Sequence, residues 1–98
     1  MKFAVFHPEA DEEFAAAIAY YAGQAKALGE RFYEEMRRLT AEIENAPGRY
    51  KLWRHGARRH FGDAFPYAII YVERPAHITV AAVAHFKRAP DYWRGRLG

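Results

Sequence analysis

The stretch from Ala64 to Arg96, AFPYAIIYVERPAHITVAAVAHFKRAPDYWRGR, decides how this chain folds. Phe65 to Val72 is a run of β-branched and aromatic residues, a composition that suits a pleated, buried strand. Arg74-Pro75-Ala76 interrupts the run, because proline has no N–H to give a ladder. His77 to His85 then resumes strand character through Ile78, Thr79, Val80 and Val83. This second strand is almost wholly apolar until His85, and Phe86-Lys87-Arg88 follow at once. A buried strand that ends in an imidazole and two cations holds polar chemistry at a sheet rim, so functional residues are sought there first.

Upstream of this pair, Gly62-Asp63 is a turn signal and Ala57 to Phe61 (ARRHF) reads as a short strand carrying cations. Arg49 to Gly56 (RYKLWRHG) is basic and aromatic, with no clear period. Ala46-Pro47-Gly48 ends a helix expected from about Leu28 to Asn45, whose apolar stripe is Leu28, Phe32, Met36, Leu39 and Ile43. Gly23 and Gly29 are expected to bracket the break before it. An earlier helix opens after His7-Pro8, where proline pre-sets the first helical φ. Glu9, Asp11, Glu12 and Glu13 crowd its first turn, where the helix dipole favours negative charge by ~0.3–1 kcal/mol each. Ala10, Phe14, Ala17, Ile18, Tyr21 and Ala25 give it one shallow stripe. Lys2 to Phe6 is a short strand. Downstream, Pro90 to Leu97 can form one or two helical turns. The pattern predicts a single α+β domain over residues 1–98. Two N-terminal antiparallel helices pack on a small, mostly antiparallel sheet in the order β-α-α-β-β-β, with a short C-terminal helical segment.

A chain of 98 residues buries roughly 60–65% of its unfolded surface, enough for one core. An apolar fraction of 51% and a charged fraction of 28% are ordinary globular values. No apolar run approaches the ~18–20 residues of a membrane span. The absence of cysteine excludes disulfides, thiolate metal sites and cysteine nucleophiles, and suits a reducing compartment. A cytoplasmic protein is expected. The net charge of +3 hides a split. Residues 1–48 hold five Lys/Arg against nine Asp/Glu, net −4, while residues 49–98 hold ten against three, net +7. An acidic half beside a basic half points to a surface built for a polyanion or an acidic partner.

HPEADEEFAAAIAYY near the start, LGERFYEEM in the second helix, and FPYAIIYV followed by VAAVAHFKRAPDYW near the end resemble the RelE/ParE superfamily. These are the toxin halves of bacterial type II toxin–antitoxin systems, often described as plasmid stabilisation proteins. The likeness runs nearly the full length and implies a fold that agrees with the order of elements above. It also implies a cognate antitoxin, an extended and largely disordered segment that wraps the toxin and covers its basic site. Apolar residues between Phe65 and Tyr71, or on the helix pair, would supply anchoring grooves for it. For activity the superfamily divides. RelE-like members are endoribonucleases, mRNA interferases that cut mRNA in the ribosomal A site, whereas ParE-like members poison DNA gyrase and cleave nothing. Ribosome-dependent mRNA cleavage is the first expectation here, with gyrase inhibition or an inactive antitoxin-binding member as alternatives.

Cleavage of that kind uses the substrate's 2′-hydroxyl, so the protein must supply proton carriers and charge stabilisation. His85 is the natural carrier, since imidazole titrates near neutrality. Arg88 could grip the scissile phosphate bidentately. Tyr92 stands where RelE-like members carry a functional tyrosine, though closer to the arginine than theirs. Arg58 and Arg59 lie on the strand where that family places phosphate-binding residues. Alternation lets only one of them face the site, and Arg58 is assigned to catalysis. Lys51, Arg54, Arg59 and Lys87 are expected to hold nucleic acid, with Trp53 or Trp93 stacking a base. His55, His60 and His77 show no metal spacing, so neither a metal nor a cofactor is expected. One departure stands out: the nuclease members carry several lysines near the phosphate, whereas Lys51 and Lys87 are the only lysines in this basic half.

Overall fold

The computed structural model describes residues 1–98. Its elements run β1 (Ala4–Phe6), α1 (Pro8–Gln24), α2 (Lys26–Asn45), β2 (Arg58–Phe61), β3 (Tyr67–Glu73) and β4 (Ile78–His85). A 3₁₀ turn at Arg94–Leu97 closes the chain. The strands form one sheet in the order β1-β4-β3-β2, with β1 parallel to β4 and the other pairs antiparallel. Both helices pack on one face, so the expected α+β architecture and order of elements hold.

Pro8 occupies the first helical position of α1, and His7 Nδ1 accepts the Glu9 N–H at 3.1 Å to cap it. The link to α2 is Ala25 alone, extended at φ −161°. Gly23 and Gly29 do bracket this break, but both are themselves helical, and α2 begins at Lys26, two residues before the expected Leu28. A Cβ on Gly29 would lie 2.7 Å from Ala22 Cβ. The glycine is there to let the two helices touch.

The α2 stripe of Phe32, Met36, Leu39 and Ile43 is buried against Ile69, Tyr71, Ile78, Val80 and Val83. Burying each side chain of this size contributes about 1.5–3 kcal/mol. Val80 and Val83 share the helix face although three residues apart. The β3–β4 register slips by one, from Ile70↔Ala82 to Tyr71↔Val80, a bulge that turns Ala81 to the other side.

Three helix carboxylates complete the sheet's backbone. Glu35, buried, accepts from Ala64 N–H at 3.0 Å and Phe65 N–H at 3.1 Å and so fixes the β2–β3 loop. Glu44 accepts the outward Ala4 N–H of the β1 edge at 2.8 Å. Glu13 accepts Val83 N–H at 3.0 Å, where β4 has run past the end of three-residue β1. Each bond satisfies an amide that no neighbouring strand reaches.

The far face of the sheet is covered differently. Ala57, Ala81, Ala82, Ala84 and Ile70 form a shallow seat, and Trp93, fully buried, packs into it. Only Arg94–Leu97 is helical in the C-terminal segment; the two turns allowed from Pro90 reduce to one. What holds the segment is the Trp93 seat and ion pairs at both ends of it.

Candidate functional site

Between the C-terminal segment and the β2-β3-β4 face lies a cavity of about 110 Å³. Alternation along β2 decides which of its arginines reaches it. Arg58 pairs with Tyr71 and His60 with Ile69, so both share the helix face. Arg58 donates to Tyr50 O at 2.7 Å, and His60 Nε2 meets Glu42 Oε1 at 2.7 Å beneath the stacked Tyr50 ring. Arg58 is thus not brought to the cavity. Arg59 is, with its guanidinium 3.7 Å over the Trp53 ring and 4.9 Å from Phe61. Burial, aided by the nearby Arg54 charge, lowers its pKa.

The loop before β2 is fixed to the C-terminal segment by one carboxylate. Asp91 takes Arg54 Nη1 at 3.4 Å and His55 Nε2 at 3.1 Å. That contact holds His55 at φ 52° and lets Gly56 follow at φ 77°, a left-handed pair that makes the turn. Arg54 also lies 5.2 Å over the Trp53 ring, opposing free use of that surface. Lys51 and Lys87 are exposed.

At the other end of the groove His85 and Arg88 stand on a rim. Both line the sheet-face cavity, and both also line a hollow between α1 and the end of β4 that Glu13, Tyr20 and Tyr67 share. His85 Nδ1 accepts the Lys87 N–H at 3.0 Å, so the neutral ring carries its proton on Nε2. Its ring meets Tyr67 edge-on at 5.1 Å. The Arg88 guanidinium covers the Tyr92 ring at 3.8 Å and comes within 4.0 Å of Glu13 Oε2.

Glu13 and Arg96, which the residue pattern did not single out, organise this end. Arg96 Nη1 bonds Glu13 Oε1 at 3.0 Å and Ala81 O at 3.1 Å, and its Nε reaches Glu9 at 2.9 Å. Burial opposes the Arg96 charge, but the bond to Glu13 outweighs it and the pKa rises. The Tyr92 hydroxyl and Glu13 Oε2 are buried, and neither makes a hydrogen bond. Burial first, and then the adjacent Glu13 carboxylate, push the Tyr92 pKa well above the ordinary phenol value. Glu13 was visible only as one acid among four in a helix's first turn, and its partner lies at the opposite end of the chain. No group of three His, Asp or Glu side chains gathers at metal-binding distance.

The chain from residue 4 to residue 90 matches the family described as the ParE toxin of the type II toxin–antitoxin system, parDE. It belongs to the ParE toxin family. No curated protein matches it. The family makes this chain a toxin with a cognate antitoxin as partner. The matched span takes in Glu13, Arg59, His85 and Arg88 and stops before Tyr92, Trp93 and Arg96. No helix of this toxin is long and apolar enough to cross a membrane.

Proposed function

We propose that this toxin acts by occupying a macromolecular target and cleaves no RNA itself, DNA gyrase being the target its ParE resemblance offers. The observation that supports this reading is the shortage of proton carriers at the groove. Cleavage through a 2′-hydroxyl asks for a base and an acid within reach of one phosphate. His85 is the only imidazole among the groove side chains, and imidazole is the usual proton carrier in such chemistry. Tyr92 has its hydroxyl buried and its pKa raised, Arg58 points to the helix face, and arginine keeps its proton. What remains is a set of fixed cations and rings, which suits binding.

Ribosome-dependent mRNA cleavage is the second reading. One observation favours it: His85, with Nε2 uncommitted, and Arg88 line the same hollow. The test is to induce the toxin alone in cells, mapping transcript 5′ ends alongside plasmid supercoiling. DNA breaks or altered supercoiling with intact messages are expected. Cuts inside translated frames with unchanged supercoiling would overturn the proposal, and His85→Ala and Arg88→Ala should then each relieve growth arrest.

A further inference from the structure

Arg59 lines the sheet-face cavity and makes neither an ion pair nor a hydrogen bond within the protein. Its guanidinium lies against the Trp53 and Phe61 rings, which leaves N–H groups without an acceptor in the protein. A guanidinium desolvated in this way is completed by an oxyanion that meets those groups.

Beside it the cavity walls are Ala68, Ile70, Ala84 and Trp93, three small or branched side chains and an indole. A dry cavity of roughly 150 Å³ accepts benzene, so one of about 110 Å³ accepts a single Leu- or Ile-sized side chain. Phe61 and Phe86 stand at its border in an edge-to-face pair at 5.6 Å, 47% and 52% exposed. Half-exposed phenylalanines beside a cavity that Arg59 and Arg88 also line form an apolar patch inside a cationic border.

Two other occupants fit less well. A nucleobase stacks best on a large free ring face, and the Trp53 and Tyr92 rings are already covered by guanidinium groups. Trp53 carries Arg59 at 3.7 Å and Arg54 at 5.2 Å; Tyr92 carries Arg88 at 3.8 Å and Arg96 at 5.0 Å. A second copy meeting this face with its own would set cations against cations.

We infer that this cavity is the anchor pocket for an acidic segment of the partner antitoxin. One Leu- or Ile-sized side chain enters beside Phe61 and Phe86, and a neighbouring carboxylate closes on Arg59. The inference rests on membership of the toxin family but not on which cellular target the toxin poisons. It also narrows the anchoring surface expected between Phe65 and Tyr71 to the residues of that span that face the cavity. Phe65, Ile69 and Tyr71 of that span are buried beneath the helices, whereas Ala68 and Ile70 face the cavity.

Trp53 and Trp93 are the only tryptophans and both line the cavity, so intrinsic fluorescence reports on it directly. The probes are a synthetic peptide of sequence EDLEDE, its leucine-to-alanine analogue, a version with lysines for the acids, and a six-nucleotide single-stranded RNA. The expected result is a saturable emission change with EDLEDE up to millimolar concentration. Affinity should fall at least tenfold for the alanine analogue and vanish for the lysine version. Arg59→Gln and Phe61→Ser should each weaken binding of EDLEDE at least tenfold; both positions are on the surface, and far-ultraviolet circular dichroism checks that each variant is folded. Equal binding of the leucine and alanine peptides overturns the pocket, as does an unaffected Arg59→Gln variant. No saturable change overturns it as well. Tighter, Arg59-dependent binding of the RNA would assign the groove to nucleic acid. A concentration-dependent change without peptide, with dimers in sedimentation, would assign it to a second copy. None of these readouts depends on gyrase, whose involvement is decided by supercoiling.

Discussion

Replacing Glu13 by alanine tests how the sheet and the C-terminal segment are joined. Its Oε1 receives both Val83 N–H and Arg96 Nη1, each at 3.0 Å. Removing the carboxylate leaves a β4 amide with no acceptor at the place where β1 has ended. It also leaves Arg96, 12% exposed, with Ala81 O and the exposed Glu9 as its remaining partners. A hydrogen bond to a charged group is worth about 1.5–3 kcal/mol, and breaking a buried pair costs about 3–5 kcal/mol. Glu9 offsets part of the second figure. Removing the buried Oε2, which has no hydrogen bond and only a 4.0 Å contact with Arg88, offsets more, so a net loss of about 2–3 kcal/mol is expected. At about 4–8 °C per kcal/mol for a domain of this size, Tm should fall by roughly 10–20 °C. Glu13→Gln keeps an acceptor for Val83 and should lose about half as much. Thermal unfolding by circular dichroism reads both, and a double-mutant cycle with Arg96→Gln should show coupling above about 1 kcal/mol. A Glu13→Ala protein that melts within about 3 °C of the parent would refute the reasoning, since so small a shift is that of a surface charge.

Three further outcomes follow from the geometry. Gly29→Ala should destabilise in spite of alanine's better helix propensity, by about 1–2 kcal/mol, because the new Cβ would sit 2.7 Å from Ala22 Cβ; an unchanged urea midpoint would contradict the close helix contact. Tyr92→Phe should leave stability equal or slightly higher, since the hydroxyl is buried without a hydrogen bond, and should leave growth arrest intact; loss of toxicity in a folded Tyr92→Phe protein would argue for a chemical role. Glu42, held below its ordinary value of 4.5 chiefly by the His60 hydrogen bond, stabilises the fold above that pH and ceases to as pH falls through its lower folded value. The Tm gap between the parent and Glu42→Gln should therefore be open at pH 6 and close below about pH 4.5. A gap that stays constant across this range would rule out the linkage.

Local pattern was enough for the elements and their faces wherever one residue type could serve only one purpose. The α2 stripe had to be core, and the Pro75 break had to separate two strands. Gly29 shows the limit. In the chain it looks like punctuation, but its role depends on Ala22 of the facing helix, and a missing Cβ is equally useful in a turn and in a tight crossing. Glu13 and Arg96 show the same limit over a longer range, because an acid in a first turn always has the helix dipole as sufficient reason to be there. Nothing local distinguishes that role from bonding a strand amide and a C-terminal guanidinium.

Arg58 and Arg59 make the point most sharply for the site. Alternation requires them to face opposite ways, and that much is sequence. Which way is fixed by the partner: Arg58 lies opposite Tyr71 and Arg59 opposite Ile70. The bulge at Ala81 sets which of β4's residues turn with Tyr71 toward the helices. A slip of one residue in the β2–β3 pairing would exchange the two arginines and carry His60 away from Glu42. The His60–Glu42 bond and the Arg58–Tyr50 bond lock that register from the helix side. The identity of the cation in the cavity is therefore decided on the face of the sheet opposite to it. Substitutions that loosen the His60–Glu42 pair should accordingly weaken binding at Arg59 without touching it.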